Sequence, residues 1–108
     1  MKTLSDIDLL LKQVKRKLEK IFGHRLSGVI LYGSYARKEA REDCDIDLIL
    51  LIVEMKNPVE ELKKCQSEIH KIDFEYDRLV SLLPIDATEY KTKNTPFLLN
   101  VKKEGILL

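Results

Sequence analysis

Only two cysteines, Cys44 and Cys65, occur in 108 residues, too few and too far apart for a disulfide framework or a zinc site. No charge of either sign dominates. Nineteen Lys and Arg stand against 18 Asp and Glu, a net charge of +1, so the basic footprint of a dedicated DNA or RNA binder is missing. The longest apolar run, Leu48 to Val53, is six residues, against the ~20 needed to cross a bilayer. The N-terminal stretch threads Lys2, Asp6, Asp8, Lys12 and Lys15 through its apolar positions, which is not the form of a signal peptide. No internal repeat or low-complexity tract is visible. What remains is 44% apolar and 34% charged. This composition predicts one soluble, cytoplasmic domain over residues 1–108, long enough to bury roughly 65% of its unfolded surface.

Leu4, Ile7, Leu11, Val14, Leu18 and Ile21 recur at gaps of three and four, predicting an amphipathic first helix that stops at Gly23. Gly28 to Tyr32 reads as a short buried strand ending at Gly33-Ser34, and Asp45 to Val53 as a second. The polar stretch Tyr35 to Cys44 between them is expected to hold one short helix and a loop. Asn57-Pro58 opens another helix, with Glu60 and Glu61 at its positive end. Val59, Leu62, Cys65, Ile69, Ile72 and Tyr76 form its apolar side. Leu79 to Leu83 predicts a third strand closed by Pro84. Thr95-Pro96 caps a last helix anchored by Phe97, Leu98 and Val101, with Gly105 after it. The order predicts an α/β or α+β layer sandwich, a small sheet with helices packed on it.

The chemistry concentrates where Leu31-Tyr32-Gly33-Ser34 is followed, ten residues on, by Asp45-Ile46-Asp47-Leu48. Alternate side chains of a strand share a face, so Asp45 and Asp47 are expected to point the same way, their Cα atoms apart by about twice the ~3.3 Å rise. Two carboxylates that close repel, and a cation between them relieves the repulsion. Mg2+ suits such a pair, because it takes one or two carboxylates and completes its octahedron with water and phosphate oxygens. Gly33 lets backbone approach a ligand. The Ser34 hydroxyl and the amides of a following helix offer donors to phosphate oxygens, and Arg37 and Lys38 add positive charge one turn on. Phosphoryl-type transfer asks for little beyond such positioning and charge neutralisation.

Gly33-Ser34-Tyr35-Ala36-Arg37-Lys38-Glu39-Ala40 with Asp45-Ile46-Asp47-Leu48 resembles the signature of the nucleotidyltransferase superfamily typified by DNA polymerase beta, and the chain's size is similar to its minimal nucleotidyltransferases, the MNT proteins of prokaryotes. The resemblance implies a mixed β-sheet flanked by helices and Mg2+-dependent transfer of a nucleoside monophosphate from an NTP, with release of pyrophosphate. It implies that Gly33 and Ser34 hold the triphosphate and that Asp45 and Asp47 hold the metal. Cys44 stands where the family usually has Ser. The superfamily's third carboxylate, on a neighbouring strand, has its best match at Ser81, which is not an acid. Asp77, assigned the same strand parity as Ser81, is the candidate to reach in from the strand start.

His24 and His70 have no second ligand at metal spacing and read as surface histidines. Cys65 falls on an apolar helix face and reads as packing. Lys12, Lys15, Arg16, Lys17 and Lys20 read as a solvated helix face. Tyr32 and Tyr35 flank the phosphate turn, open to core packing or to stacking on a base. A domain this small houses a metal pair and a triphosphate but little of an acceptor pocket, so the acceptor is expected from a partner, with homo- or hetero-oligomers open. MNT proteins often pair with a helical HEPN ribonuclease toxin, and some attach AMP to its tyrosine. The resemblance therefore implies a protein adenylyltransferase using ATP, the antitoxin of a HEPN/MNT pair. The alternative is a nucleotide-binding module of weak or no catalysis that blocks its partner by occlusion.

Overall fold

The computed structural model describes residues 4–33, 35–36 and 45–108. Ser34, Arg37, Lys38, Cys44 and the short helix expected between Tyr35 and Cys44 lie outside the described residues, as does the Leu4 side chain. Among them run α1 (Leu4–Phe22), a 3-10 turn (Gly23–Arg25), β1 (Leu26–Tyr32), β2 (Ile46–Ile52), α2 (Pro58–Tyr76), β3 (Val80–Asp86), α3 (Ala87–Thr92), α4 (Pro96–Glu104) and β4 (Ile106–Leu107). The strands form one sheet in the order β3-β2-β1-β4. β1 is antiparallel to β2 and to β4, whereas β2 and β3 are parallel, joined through α2. The sheet is therefore mixed and flanked by helices, as the sequence predicts. No described helix is long and apolar enough to cross a membrane.

Alternation along the strands divides the sheet into two apolar faces. On one, Val29, Leu31, Ile46, Leu48, Leu50 and Ile52 pack with Ile7, Leu10, Leu11, Val14 and Leu18 of α1 and with Cys65, Ile69 and Ile72 of α2. On the other, Ile30, Ile49 and Leu51 meet Ala87 of α3 and Val101 of α4. β2 is thus covered twice, which is why its sequence runs apolar without a break after Asp47. The α1 stripe is wider than the three-four spacing predicts. Leu10 and Phe22 are buried while Ile21 is only partly so, because a helix on a sheet buries an arc of 100° or more.

Asn57 caps α2 as expected, its side chain accepting from the Val59 amide at 2.9 Å, with Pro58 in the first turn. Thr95 does the same for α4, accepting from the Leu98 amide at 3.2 Å. Val59 and Phe97 are exposed rather than anchors. Pro84 does not close β3; it lies inside the strand opposite Leu50. The Leu79 carbonyl accepts from Ile46 N at 2.8 Å, and backbone groups alternate sides, so the Pro84 nitrogen faces the open edge, where no donor is needed. α3 and β4 escaped the sequence reading. α3 is a six-residue helix whose N-cap Asp86 accepts from Thr88 N and Glu89 N; β4 has two residues.

Glu61, expected only to favour the helix dipole, is 3% exposed. It forms an ion pair with Arg25 and another with Lys64 at 2.9 Å. Arg25 also exchanges backbone with β2, its carbonyl accepting from Val53 N at 2.7 Å. The entry of β1, the exit of β2 and the start of α2 are joined by this one cluster. The Arg25 hydrogen bond, against the opposing effect of burial, holds the Glu61 carboxyl below its ordinary range. A depressed carboxyl contributes stability above its unfolded pKa and loses it as pH falls through the folded value. Arg25→Met is expected to cost about 2–3 kcal/mol at pH 7, less than a fully orphaned charge because Lys64 remains. Denaturant unfolding at pH 7 and below about pH 4 checks this, since the gap to wild type narrows once Glu61 is protonated.

Candidate active site

Tyr32, Asp47 and Ser81 are Cα partners across β1, β2 and β3. Directly opposed residues share a face, so the three form one row near the end of the sheet, on the face that carries α3 and α4. The next row inward is Ile30, Ile49 and Leu83. Asp47 is therefore the charged member of an otherwise neutral row, half-buried where its strand enters the core.

The chain leaves β1 at Gly33, which adopts φ +74. A Cβ built on Gly33 would lie 2.5 Å from Asp47 Oδ2. Both facts demand glycine: the left-handed backbone and the space that a side chain would take from the carboxylate. The predicted pairing of a Gly turn with the second aspartate is thus a direct approach of the two. Asp45, the first aspartate, immediately precedes β2 and is exposed. Ser34, Arg37 and Lys38 lie outside the described residues.

Asp77 does not occupy a strand. It is the C-cap of α2, exposed, in the left-handed region at φ 52 and ψ 46, a conformation Asp tolerates better than most residues. Strand parity does not extend through such a residue, so the argument that aligned Asp77 with Ser81 fails. The position beside Asp47 belongs to Ser81 itself. Arg78, which the sequence reading passed over, is nearly buried, and its guanidinium lies 5.4 Å from the Tyr35 ring centroid. Burial pushes its pKa down. Its neighbour Asp73 accepts from Val80 N at 3.2 Å, and burial pushes that carboxyl up. Arg78 thus sets a cation against the residue two places after the Gly33 turn, a contact that only the fold reveals. Tyr32 packs edge-on with Phe97, centroids 5.6 Å apart. His24 and His70 are exposed and Cys65 is buried, as expected.

No group of three or more His, Cys, Asp or Glu that could cage a metal exists among the described residues. Two aspartates with oxygen donors only, one exposed and one lying against the Gly33 turn, fit an ion that brings its own water and phosphate ligands. Mg2+ binds in that manner, whereas a caged structural ion does not.

This geometry has a family. Residues 12–108 match the model described as Polymerase beta, Nucleotidyltransferase, and the chain belongs to that family. It is 33% identical over 97 residues to "Putative protein adenylyltransferase MJ0141" of Methanocaldococcus jannaschii, covering 90% of this chain and 93% of that protein. Among solved structures, it superposes on a toxin-antitoxin structure with AMP-PNP at a TM-score of 0.61 and 20% identity, covering 89% of this chain and 70% of that one. A structure of a tri-AMPylated Shewanella oneidensis HEPN toxin in complex with MNT antitoxin aligns at 0.60 and 19% identity, covering 93% and 69%. These likenesses establish the nucleotidyltransferase fold.

The Gly33–Asp47 contact sets a measurable expectation. Gly23 also has positive φ, +57, but nothing lies within 4 Å of a Cβ there. Gly23→Ala should cost about 1–2 kcal/mol from backbone strain alone, and Gly33→Ala more. In an Asp47→Ala background the excess at Gly33 should vanish, a coupling that a double-mutant cycle of thermal or urea unfolding reads directly.

Proposed function

We propose that this chain is a Mg2+-dependent protein adenylyltransferase of the cytoplasm, moving AMP from ATP to a helical HEPN-type partner as the antitoxin of a toxin-antitoxin pair. The observation that carries the reading is Asp47 Oδ2 seated against the side-chain-free turn at Gly33. A carboxylate and a phosphate-accepting bend thereby meet at one point. The names of the relative and of the structural neighbours support adenylyl transfer and a HEPN acceptor.

In this reading Gly33 and Ser34 cradle the β- and γ-phosphates, and Arg37 and Lys38 offset charge on the departing pyrophosphate. Asp45 and Asp47 hold the ion, which when bound neutralises phosphate charge and aligns the α-phosphorus. An acceptor hydroxyl oxygen bonds to that phosphorus as the bond to the β-phosphate oxygen breaks. The hydroxyl proton passes to a base drawn from water, the partner or Asp77. For Asp77 the route is open only if the α2 C-cap turns toward the row. Incubating the protein with Mg2+, ATP labelled at the α-phosphate and the protein encoded beside it should label that partner. Asp47→Asn should reduce transfer at least about 100-fold; equal labelling would sink the assignment.

A second reading is favoured by Ser81, a neutral residue opposite Asp47 in the row. On it the chain binds nucleotide weakly or idly and silences its partner by covering it. The double variant Asp45→Asn with Asp47→Asn separates the two: transfer predicts loss of neutralisation in a toxicity assay, occlusion predicts that neutralisation persists.

A further inference from the structure

The face that carries Asp47 also carries an aromatic pair, one ring of which stays exposed. α4 is anchored by Leu98 and Val101, at 6% and 1% exposure, whereas the intervening stripe begins with Phe97 at 41%. Phe97 leans on Tyr32, with ring planes at 74°. Phe97 nonetheless keeps 41% of its surface exposed beside Tyr32. Tyr32 is itself the strand partner of Asp47, which sets the two backbones about 5 Å apart, and the Phe97 ring lies 5.6 Å from the Tyr32 ring. The pair thus stands beside the carboxylate, on its face of the sheet.

We propose that the Tyr32–Phe97 pair is the nucleobase platform of this site, with Phe97 supplying the stacking face. The assignment rests on the nucleotide reading above and adds to it the residue that holds the base. Every base offers a π-face, so stacking on Phe97 discriminates by area, and purine nucleotides bind more tightly than pyrimidine ones. Tyr32 positions Phe97, and its packing against the second apolar cluster, partly buried, holds the pair beside Asp47.

The chain has no tryptophan, so Phe97→Trp creates a lone fluorophore at the platform while keeping an aromatic face. Titrating it with Mg-ATP should quench the indole, and titrating with Mg-tripolyphosphate should not. Phe97→Ala should weaken Mg-ATP binding by about tenfold and leave Mg-tripolyphosphate binding at the wild-type value. Equal weakening for both probes, or no change for ATP, overturns the platform. If Phe97→Ala loses partner binding with ATP affinity intact, the ring belongs to the protein interface and the proposal also falls. Should that variant fail to fold, the fluorescence result decides. Asp47→Asn distinguishes the layers: if it loses Mg-ATP while Phe97→Ala retains it, only the platform is refuted, and a wild type that binds no Mg-ATP refutes both.

Discussion

β2 is apolar on both faces from Leu48 to Ile52, and Asp47 enters it as a half-buried charge. A carboxylate drawn into a low-dielectric sheet carries a desolvation cost of several kcal/mol unless polar groups face it. The chain meets that constraint by leaving β1 through Gly33, where no side chain separates the turn from Asp47 Oδ2. The strand order enforces the meeting. β1 and β2 are antiparallel neighbours, so the exit of one adjoins the entry of the other. A glycine turn and a carboxylate could be brought together in many ways; here a single cross-strand register, Tyr32 opposite Asp47, does it.

The other end of the sheet solves a different problem with similar means. There Glu61 is more deeply buried than Asp47 and is paired with Arg25 and Lys64. That cluster joins three chain segments and fixes where β2 ends and α2 begins. α2 in turn returns the chain to the site end, so that β3 can lie parallel to β2 and set Ser81 beside Asp47. Between the two charged ends lies the apolar slab formed by α1, α2 and the sheet. The Glu61 cluster ties chain segments together at one end of the sheet, and Asp47 lies against the Gly33 turn at the other.

Much of this was legible in residue order. Asn57-Pro58 and Thr95-Pro96 announce helices because capping chemistry is local, and the unbroken run after Asp47 announces a strand covered twice. The signature from Gly33 to Asp47 is legible because glycine and carboxylate are each required by their own position. Elsewhere the decisive fact was non-local. Pro84 looked like a stop because its strand's edge position was unknown. Glu61 looked like a surface dipole partner because Arg25 is far from it in sequence. Asp77 looked able to reach in from the start of the third strand because nothing local marks the left-handed turn that ends α2. Phe97 looked like a core anchor, and only the exposure of its ring shows otherwise.

Ser81 shows how the row balances charge. A carboxylate in its place would sit about 5 Å from Asp47, and two like charges at that distance repel by about 3 kcal/mol at an effective dielectric near 20. A site with three acids therefore leans on bound cations even to keep its carboxylates ionised. With a hydroxyl at 81 and Asp45 exposed to water, Asp47 escapes that repulsion from β3. In the proposed transfer no carboxylate lies directly opposite Asp47 on β3, so the acceptor's proton leaves through water, through the partner or through Asp77.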